Sequence, residues 1–456
     1  MLTVTDPTTG ELIHEYEAAT QADAQEAVAS AQAAFDGWRR RGFDERAEVL
    51  NAVAARMRKD IDRLAMLMTE EMGKPIVEAR GEVEKAAWCA EHYAENAEAY
   101  LAPETIASDA TRSYVHYLPM GVVLGILPWN APFWLAFRFL APTLMAGNTC
   151  VMKHDSHVPG CARAIVNLFE EVEAPTGLVR NVPLRSPDIE PVIRDPRVVA
   201  ISITASDRAG SAVGKIAGEE IKPVVLELGG SDPAIVLADA DLEAAADAIT
   251  TMRMINAGQS CIAAKRIIVE DAVHDEFVEL FRERMAALTL GDPRDENTQV
   301  GPIAREDLRD ELHQQVRRSI DAGATCVLGG EIPEGEGFFY PPTVLTGVTS
   351  DMAASCEETF GPVAAVLRVA DADEAVRVAN DSPYGLGGSV FTTTERGEAI
   401  APEIVTGQVA VNGIVKTDPR LPSGGVKRSG IGRELGPHGI REFVNVQQVW
   451  VGPKQD

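Results

Sequence analysis

A chain of 456 residues is about three times the ~150-residue size of a typical domain, so two or three packed units are expected. With 45% hydrophobic and 24% charged residues and no repeat or polar tract, the composition is globular and excludes disordered, collagen-like and coiled-coil architectures. The formal net charge of -27, from 69 acidic and 42 basic residues, repels phosphate backbones and anionic headgroups, which excludes nucleic acid and membrane surfaces as partners.

The opening MLTVTDPTTGELIHEYEAAT reads as two short strands, charged and turn-rich, without the basic start and apolar core of a secretory signal. Residues 21–101 read as helices. Thr20 is placed to cap QADAQEAVASAQAAFDGW, and apolar residues recur at three and four spacing through RAEVLNAVAARMRKDIDRLAMLMTEEMG until Gly73-Lys74-Pro75 stops the run. TRSYVHYLPMG (111–121) alternates as a hairpin strand does, and so does FVNVQQVWVG (443–452). Paired with each other or with another subunit, the two would form a small third element.

From residue 120 short apolar strands alternate with helices: GVVLGILP, a helix over 133–146, TCVMK, a helix over 158–172, VRNVPL, RVVAISIT and VVLELGG. That alternation means crossover units and an open parallel sheet covered on both faces. Leu118 to Phe137 runs 20 residues without a charge, the length of a membrane span, yet Pro128, Asn130 and Pro132 break it into a buried strand, a sharp loop and a helix start. After Gly230 a second series follows: AIVLAD, helices around 241–254 and 273–288, AKRIIVED, CVLGG, PTVLTGV, AAVLRVAD and GGSVFTT. The expected fold class is α/β, with two open units of comparable size.

Six cysteines (Cys89, Cys150, Cys161, Cys261, Cys326 and Cys356) lie scattered, without CxxC pairs or the paired His spacings of a zinc site. Neither a metal site nor a disulfide framework is expected, and a reducing cytoplasm is the expected location. Of the basic residues 10 are Lys and 32 are Arg. An acid-rich, lysine-poor surface suits a salt-crowded cytoplasm, and equally an acidic enzyme from a GC-rich genome.

Chemistry concentrates in a few segments. Asn256-Ala257-Gly258-Gln259-Ser260-Cys261 is a polar glycine turn that delivers a lone cysteine at the end of a helix pattern, and a thiolate is a strong nucleophile once its surroundings help it ionise. Glu227 lies in the apolar strand end Val225-Leu226-Glu227-Leu228-Gly229-Gly230, where burial raises a carboxylate toward the range of a general base. Taken singly, the cysteine reads as a small core hydrophobe and the glutamate as an ion-pair partner or helix cap. Asn130, in the Pro-bounded loop Leu127-Pro128-Trp129-Asn130-Ala131-Pro132, sits at a strand end, where ligands of open sheets bind and an amide can donate to an oxyanion. Glu357-Glu358-Thr359-Phe360-Gly361-Pro362 and the glycine-rich run from Pro422 to Glu434 complete the set.

In their order along the chain, with the cysteine 34 residues after the glutamate, the segments resemble the aldehyde dehydrogenase superfamily over essentially the whole chain. The wording FRFLAPTLMAGN, VLELGGSDP and NAGQSCIAAKR is similar to the short bacterial and archaeal succinate semialdehyde dehydrogenases. The resemblance implies a Rossmann-like cofactor domain (1–102 and 120–228), a catalytic domain (229–428) and oligomerisation strands (103–119 and 443–453) of a homodimer or homotetramer. It also implies oxidation of an aldehyde through a Cys261 thiohemiacetal and thioester, an oxyanion held by Asn130 and the Cys261 N–H, and hydrolysis by water that Glu227 activates. Trp129, Lys153, Ser156, Ser206, Gly210, Leu228, Glu358 and Phe360 would contact the cofactor. Arg138 and Thr417 would receive the distal carboxylate of the small-molecule aldehyde, with an ion pair as the structural alternative for Arg138.

Departures accompany the likeness. The glycine pair after a strand reads Ala205-Ser206-Asp207-Arg208-Ala209-Gly210, with alanine first; Ala131 replaces a common aromatic, Ser423 a common phenylalanine, and Ile255 the second arginine of some members. At position 156 NAD-preferring members place a glutamate. Ser156 beside Lys153 admits a 2'-phosphate, so NADP is the expected cofactor, with NAD also admitted. Three rivals stand beside this reading: another aliphatic or amino aldehyde as substrate, transfer of the acyl group to CoA, and a catalytically silent structural or binding protein of the same fold. The intact Glu227 and Cys261 speak against the last two.

Overall fold

The computed structural model describes residues 1–452. Helices Gln21–Trp38, Phe43–Lys59, Ile61–Met72 and Ile76–Tyr100 follow a two-stranded opening. Thr20 caps the first: its hydroxyl accepts from Asp23 N at 3.2 Å while the Asp23 carboxylate accepts from Thr20 N at 2.7 Å. The third ends at Gly73 in the left-handed conformation, which glycine adopts without a Cβ clash.

A six-stranded sheet follows, ordered Gly430–Ile431, Val224–Glu227, Val198–Thr204, Val122–Leu127, Thr149–His154, Val179–Asn181. Its central strands Val122–Leu127 and Thr149–His154 are buried on both faces. Val123 and Leu127 pack with the helices Phe43–Lys59, Ile76–Tyr100 and Pro132–Met145, whereas Val122, Leu124 and Ile126 pack with Gln21–Trp38. Successive side chains of a strand point to opposite faces, so a continuous apolar run suits this position. At Gly125 an added methyl would press on the Phe139 ring, so glycine lets the helix Pro132–Met145 lie close on the strand and fixes the loop between them.

The second sheet has seven strands, ordered Thr325–Leu328, Thr343–Thr346, Val363–Val369, Ala264–Glu270, Asp232–Val236, Gly387–Phe391, Gln408–Val411. Neither sheet is wholly parallel, which corrects the expectation. Gly430–Ile431 runs antiparallel to Val224–Glu227, and Thr325–Leu328 antiparallel to Thr343–Thr346. Both are edge strands, where no crossover helix dictates direction. The strand Gly430–Ile431 also carries the late glycine-rich segment back onto the strand of Glu227. Helices Asp207–Glu219, Glu306–Asp321 and Ala372–Asn380 fall between the strands. The segment 118–137 folds as strand, loop and helix, and no helix among the described residues is long and apolar enough to cross a membrane.

Val444–Val451 and Arg112–Pro119 pair antiparallel over eight residues, with Glu104–Thr105 on the far side of Arg112–Pro119. Residue 453 of the expected tail strand lies outside the described residues.

Candidate active site

Two cavities meet at one wall. A groove of about 440 Å³ opens at the carboxyl ends of the first sheet's strands, and a cavity of about 560 Å³ lies on the other side; Asn130, Leu135 and Cys261 line both.

The wall is built by a strained turn. After the helix Leu242–Met254, Asn256 and Ala257 take left-handed φ of 56° and 52°, and Gly258 one of 75°. Such values cost non-glycine residues energy and persist only where neighbours impose them. Those neighbours are visible. Asn256 Nδ2 donates to the Asn130 carbonyl at 2.9 Å, and Asn130 Nδ2 donates to the Gln259 carbonyl at 3.0 Å. The fully buried Arg253 donates to the carbonyls of Thr359 (3.0 Å) and Gly361 and reaches that of Gly258 (3.4 Å), tying the cysteine turn to the Glu357–Pro362 loop. Lys265, also fully buried, donates to the carbonyls of Ser260 (2.8 Å) and Cys261 (2.5 Å) and pairs with Glu358 at 3.3 Å. Burial pushes the Cys261 thiol up to about 11, against the pull of the Lys265 ammonium and the Arg138 guanidinium. In this arrangement the cysteine is a protonated thiol until a base takes its proton.

Around the groove, Ser206 caps the helix Asp207–Glu219, its hydroxyl accepting from Ala209 N at 3.4 Å. A methyl at Gly210 would collide with the Leu228 side chain, so glycine brings this helix against the neighbouring strand end. Trp129 meets Phe360 edge to face at 5.7 Å, and Glu358 accepts from Gly230 N at 3.0 Å. Lys153 is the penultimate residue of the strand Thr149–His154, nearly buried, with Nζ 3.4 Å from the Ser186 hydroxyl. Among the described residues no carboxylate pairs with it, and burial holds its ammonium below the usual lysine range. Half-buried Ser156 follows in the next turn; the intervening Asp155 accepts from His157 N at 3.0 Å and contacts its Nδ1 at 2.8 Å. A helix N-terminus, a buried ammonium without an anion and a carboxylate clamp on the far side fit a phosphate-bearing dinucleotide.

Not every expected residue faces the cavities: Lys153, Ser156 and Gly210 line neither of them. Glu227 is 4% exposed and lines neither; its Oε2 accepts from Arg138 Nη2 at 3.1 Å while its Oε1 has no partner and lies against Gly424. Burial, reinforced by Glu434, raises this carboxyl, and Arg138 opposes the rise. Arg138 stands in an ion pair, the structural alternative named for it. Arg138 reaches the wall of the second cavity, but it is 3% exposed and pairs with both Glu227 and Glu434. Two acidic side chains buried at one point require a shared cation, and Nη2 of the guanidinium supplies it to both. Thr417 lines the same cavity, and its hydroxyl accepts from Lys85 Nζ at 2.9 Å. The lysine also lies 4.1 Å from the centre of the Trp134 ring, and burial pushes its ammonium down to about 8.

Lys85, Arg253, Lys265 and Glu434 therefore belong to the site although sequence reasoning gave them no role. A usable signal exists for Lys265, a charge inside the apolar strand Ala264–Glu270. Lys85 sits in a helix of mixed charge and offers none. Among the described residues no cluster of potential metal ligands occurs.

Comparison with known proteins supplies the remaining findings. Residues 1–449 match the model of the "Aldehyde dehydrogenase family". Over 456 residues the chain is 47% identical to a protein of Mycobacterium ulcerans (strain Agy99) named succinate-semialdehyde dehydrogenase [NADP(+)] 1, covering 99% of this chain and 100% of that one. A solved succinic semialdehyde dehydrogenase from Streptococcus pyogenes, in complex with NADP+, superimposes with a TM-score of 0.97 at 35% identity, covering 99% of this chain and 100% of that chain. An NAD-dependent aldehyde dehydrogenase from Sinorhizobium meliloti gives 0.96 at 36% identity, over 100% of this chain and 92% of that chain.

Proposed function

This chain belongs to the aldehyde dehydrogenase family, and from that premise we propose that it oxidises succinate semialdehyde to succinate with NADP, NAD serving as a second acceptor. The observation that carries the reading is the single wall on which Cys261 and Asn130 face a groove at the strand ends and a separate cavity at once. Cofactor and aldehyde can then reach one sulfur from opposite sides.

Cys261 gives its thiol proton to water as the sulfur bonds to the aldehyde carbon, while the Asn130 amide and the Cys261 N–H donate to the oxygen that becomes negative. Bound in the groove, the nicotinamide cofactor supplies the hydride acceptor. Lys153 and Ser156 hold its adenosine phosphate, Ser206 and Gly210 its diphosphate. Glu358 holds the nicotinamide ribose, with Trp129, Leu228 and Phe360 packed around it. Glu227 takes the proton of the water that releases the acyl group from Cys261. To do so its carboxylate must turn from Arg138 toward the sulfur, and the orphaned Oε1 leaves one oxygen free for that turn. Water is the acyl acceptor because that base is present.

The substrate assignment is supported by the names of the relatives and by the charged groups of the second cavity. The NADP preference is supported by a hydroxyl at position 156 instead of a carboxylate. We further propose a cytoplasmic homodimer or homotetramer that uses the paired strands Arg112–Pro119 and Val444–Val451. The test is a panel of aldehydes assayed with NADP and with NAD by the absorbance of the reduced cofactor. Succinate semialdehyde with NADP should give the highest kcat/KM; a higher value for an uncharged or amino aldehyde would discard the substrate.

A further inference from the structure

We infer that Lys74, Glu78 and Glu82, at the entry to the helix Ile76–Tyr100, are positioning residues that hold the asparagine loop and the cysteine turn at the separation an oxyanion needs. This rests on the reading above, in which the Asn130 amide and the Cys261 N–H receive the developing charge.

Lys74 and Glu82 form a buried ion pair. Withdrawing two charges from water is unfavourable unless each also finds partners beyond the other. Both find them on the asparagine loop. Lys74 Nζ donates to the Asn130 carbonyl at 2.9 Å, and Glu82 Oε1 accepts from Phe133 N at 2.9 Å and Trp134 N at 3.1 Å. Those N–H groups open the helix Pro132–Met145, which has no side-chain cap at Ala131, so a carboxylate there satisfies orphan donors and meets the positive end of the helix. Gly73-Lys74-Pro75, which ends the preceding helical run, is itself pinned: the Thr69 hydroxyl donates to the Lys74 carbonyl at 2.8 Å.

Glu78 lies one turn before Glu82 on the same side of its helix. Its Oε2 accepts from Asn256 N at 2.7 Å, within the left-handed stretch that delivers Cys261. Asn256 in turn donates its side-chain amide to the Asn130 carbonyl that Lys74 holds. One short segment therefore grips both parts of the site, and the two parts also grip each other. The Asn130 amide carries two protons; one goes to the Gln259 carbonyl at 3.0 Å, which leaves the second for the aldehyde oxygen. Its aim depends on a fixed loop, because an oxyanion donor acts only within about 2.7 to 3.1 Å.

The experiment is a double-mutant cycle on kcat/KM for the best aldehyde of the panel under saturating NADP. Lys74→Met removes the ammonium at similar volume and should lower kcat/KM roughly ten- to a hundredfold. In an Asn130→Ala background the same change should cost no more than about threefold, because the amide it aims is gone. Alkylation of Cys261 by iodoacetamide, a displacement that makes no oxyanion, should keep its wild-type rate in Lys74→Met when the Cys261 peptide is followed by mass spectrometry. Glu78→Ala, which leaves Asn256 N without its acceptor, should also lower kcat/KM, and Glu78→Gln, whose carbonyl still accepts, should recover most of the loss. A wild-type kcat/KM in Asn130→Ala defeats the oxyanion reading and this inference with it. If Asn130→Ala is slow, yet Lys74→Met costs the same factor with and without Asn130 or slows alkylation as much as turnover, the ion pair supports the fold alone and the inference is overturned. A Glu78→Gln enzyme as slow as Glu78→Ala overturns it as well.

Discussion

At the scale of single residues the site is a problem in proton placement. Burial raises both the Cys261 thiol and the Glu227 carboxyl. Acylation and hydrolysis are separate steps that lean on different residues. Cys261→Ala should abolish turnover, whereas Glu227→Gln should still show a burst of reduced cofactor followed by slow steady-state release, seen by stopped flow. Glu227 works only when deprotonated, so the steady-state rate should rise as pH passes upward through its elevated pKa, and Glu227→Gln should lose that limb of the profile. Asn130→Ala should cost kcat roughly 10²- to 10³-fold if the amide holds the oxyanion; part of any loss traces to the Gln259 contact, which Asn130→Asp would also disturb. For cofactor choice, Ser156→Glu places a carboxylate beside Lys153, against the 2'-phosphate, and should move the kcat/KM ratio toward NAD. A ratio that stays fixed would remove Ser156 from phosphate recognition.

Between elements, the decisive contacts are those that hold one loop on another. A methyl at Gly258 would run into the carbonyl of Gly361, and φ there is 75°. Gly258→Ala should therefore displace Cys261 and lower kcat far more than it lowers thermal stability, checked by kinetics beside a melting curve. A second junction involves Glu71, near the end of the helix Ile61–Met72, whose carboxylate accepts from Gly160 N (2.7 Å) and Cys161 N (2.9 Å) at the start of the helix Pro159–Glu171. It caps donors that the helix leaves unpaired. Burial raises its pKa from 4.5 to about 7. Because the folded value lies above the unfolded one, the folded state binds the extra proton, so its contribution to stability is full below pH 4.5 and is lost as pH rises toward 7. The loss is on the order of 3 kcal/mol. Urea titrations of wild type and Glu71→Gln should show the difference between them shrinking over that interval, since glutamine does not titrate.

For the whole molecule, charge is the dominant variable. A net charge of -27 makes the compact state repel itself, and added salt shortens the range of that repulsion to about 8 Å at 0.15 M. The melting temperature should climb with sodium chloride into the molar range, and a flat or falling curve would show that the surface ion pairs outweigh the repulsion. Val444–Val451 is the outer strand of its small sheet, with Val446 and Trp450 exposed on it. An edge of this kind is a place where chains join.

Much of this molecule is determined by local pattern. The Thr20 cap, the stop at Gly73, the alternation of strand and helix and the strand–loop–helix reading of 118–137 depend on neighbours in sequence, because periodicity and turn chemistry act over a few residues. The identity of Cys261, Glu227 and Asn130 as candidates was legible for the same reason: each is a polar group in a setting that local rules leave unexplained. What each partner is required the fold. Arg138 reads from sequence as a substrate ligand or an ion-pair partner, and the fold supplies the partners Glu227 and Glu434, the latter nearly 300 residues away along the chain. Lys85 reads as one more charge on an amphipathic helix, yet it meets Thr417 across 332 residues. Whether a buried charge is satisfied depends on the sum of its surroundings in space, and packing assembles that sum from distant segments whose spacing along the chain carries no record of it.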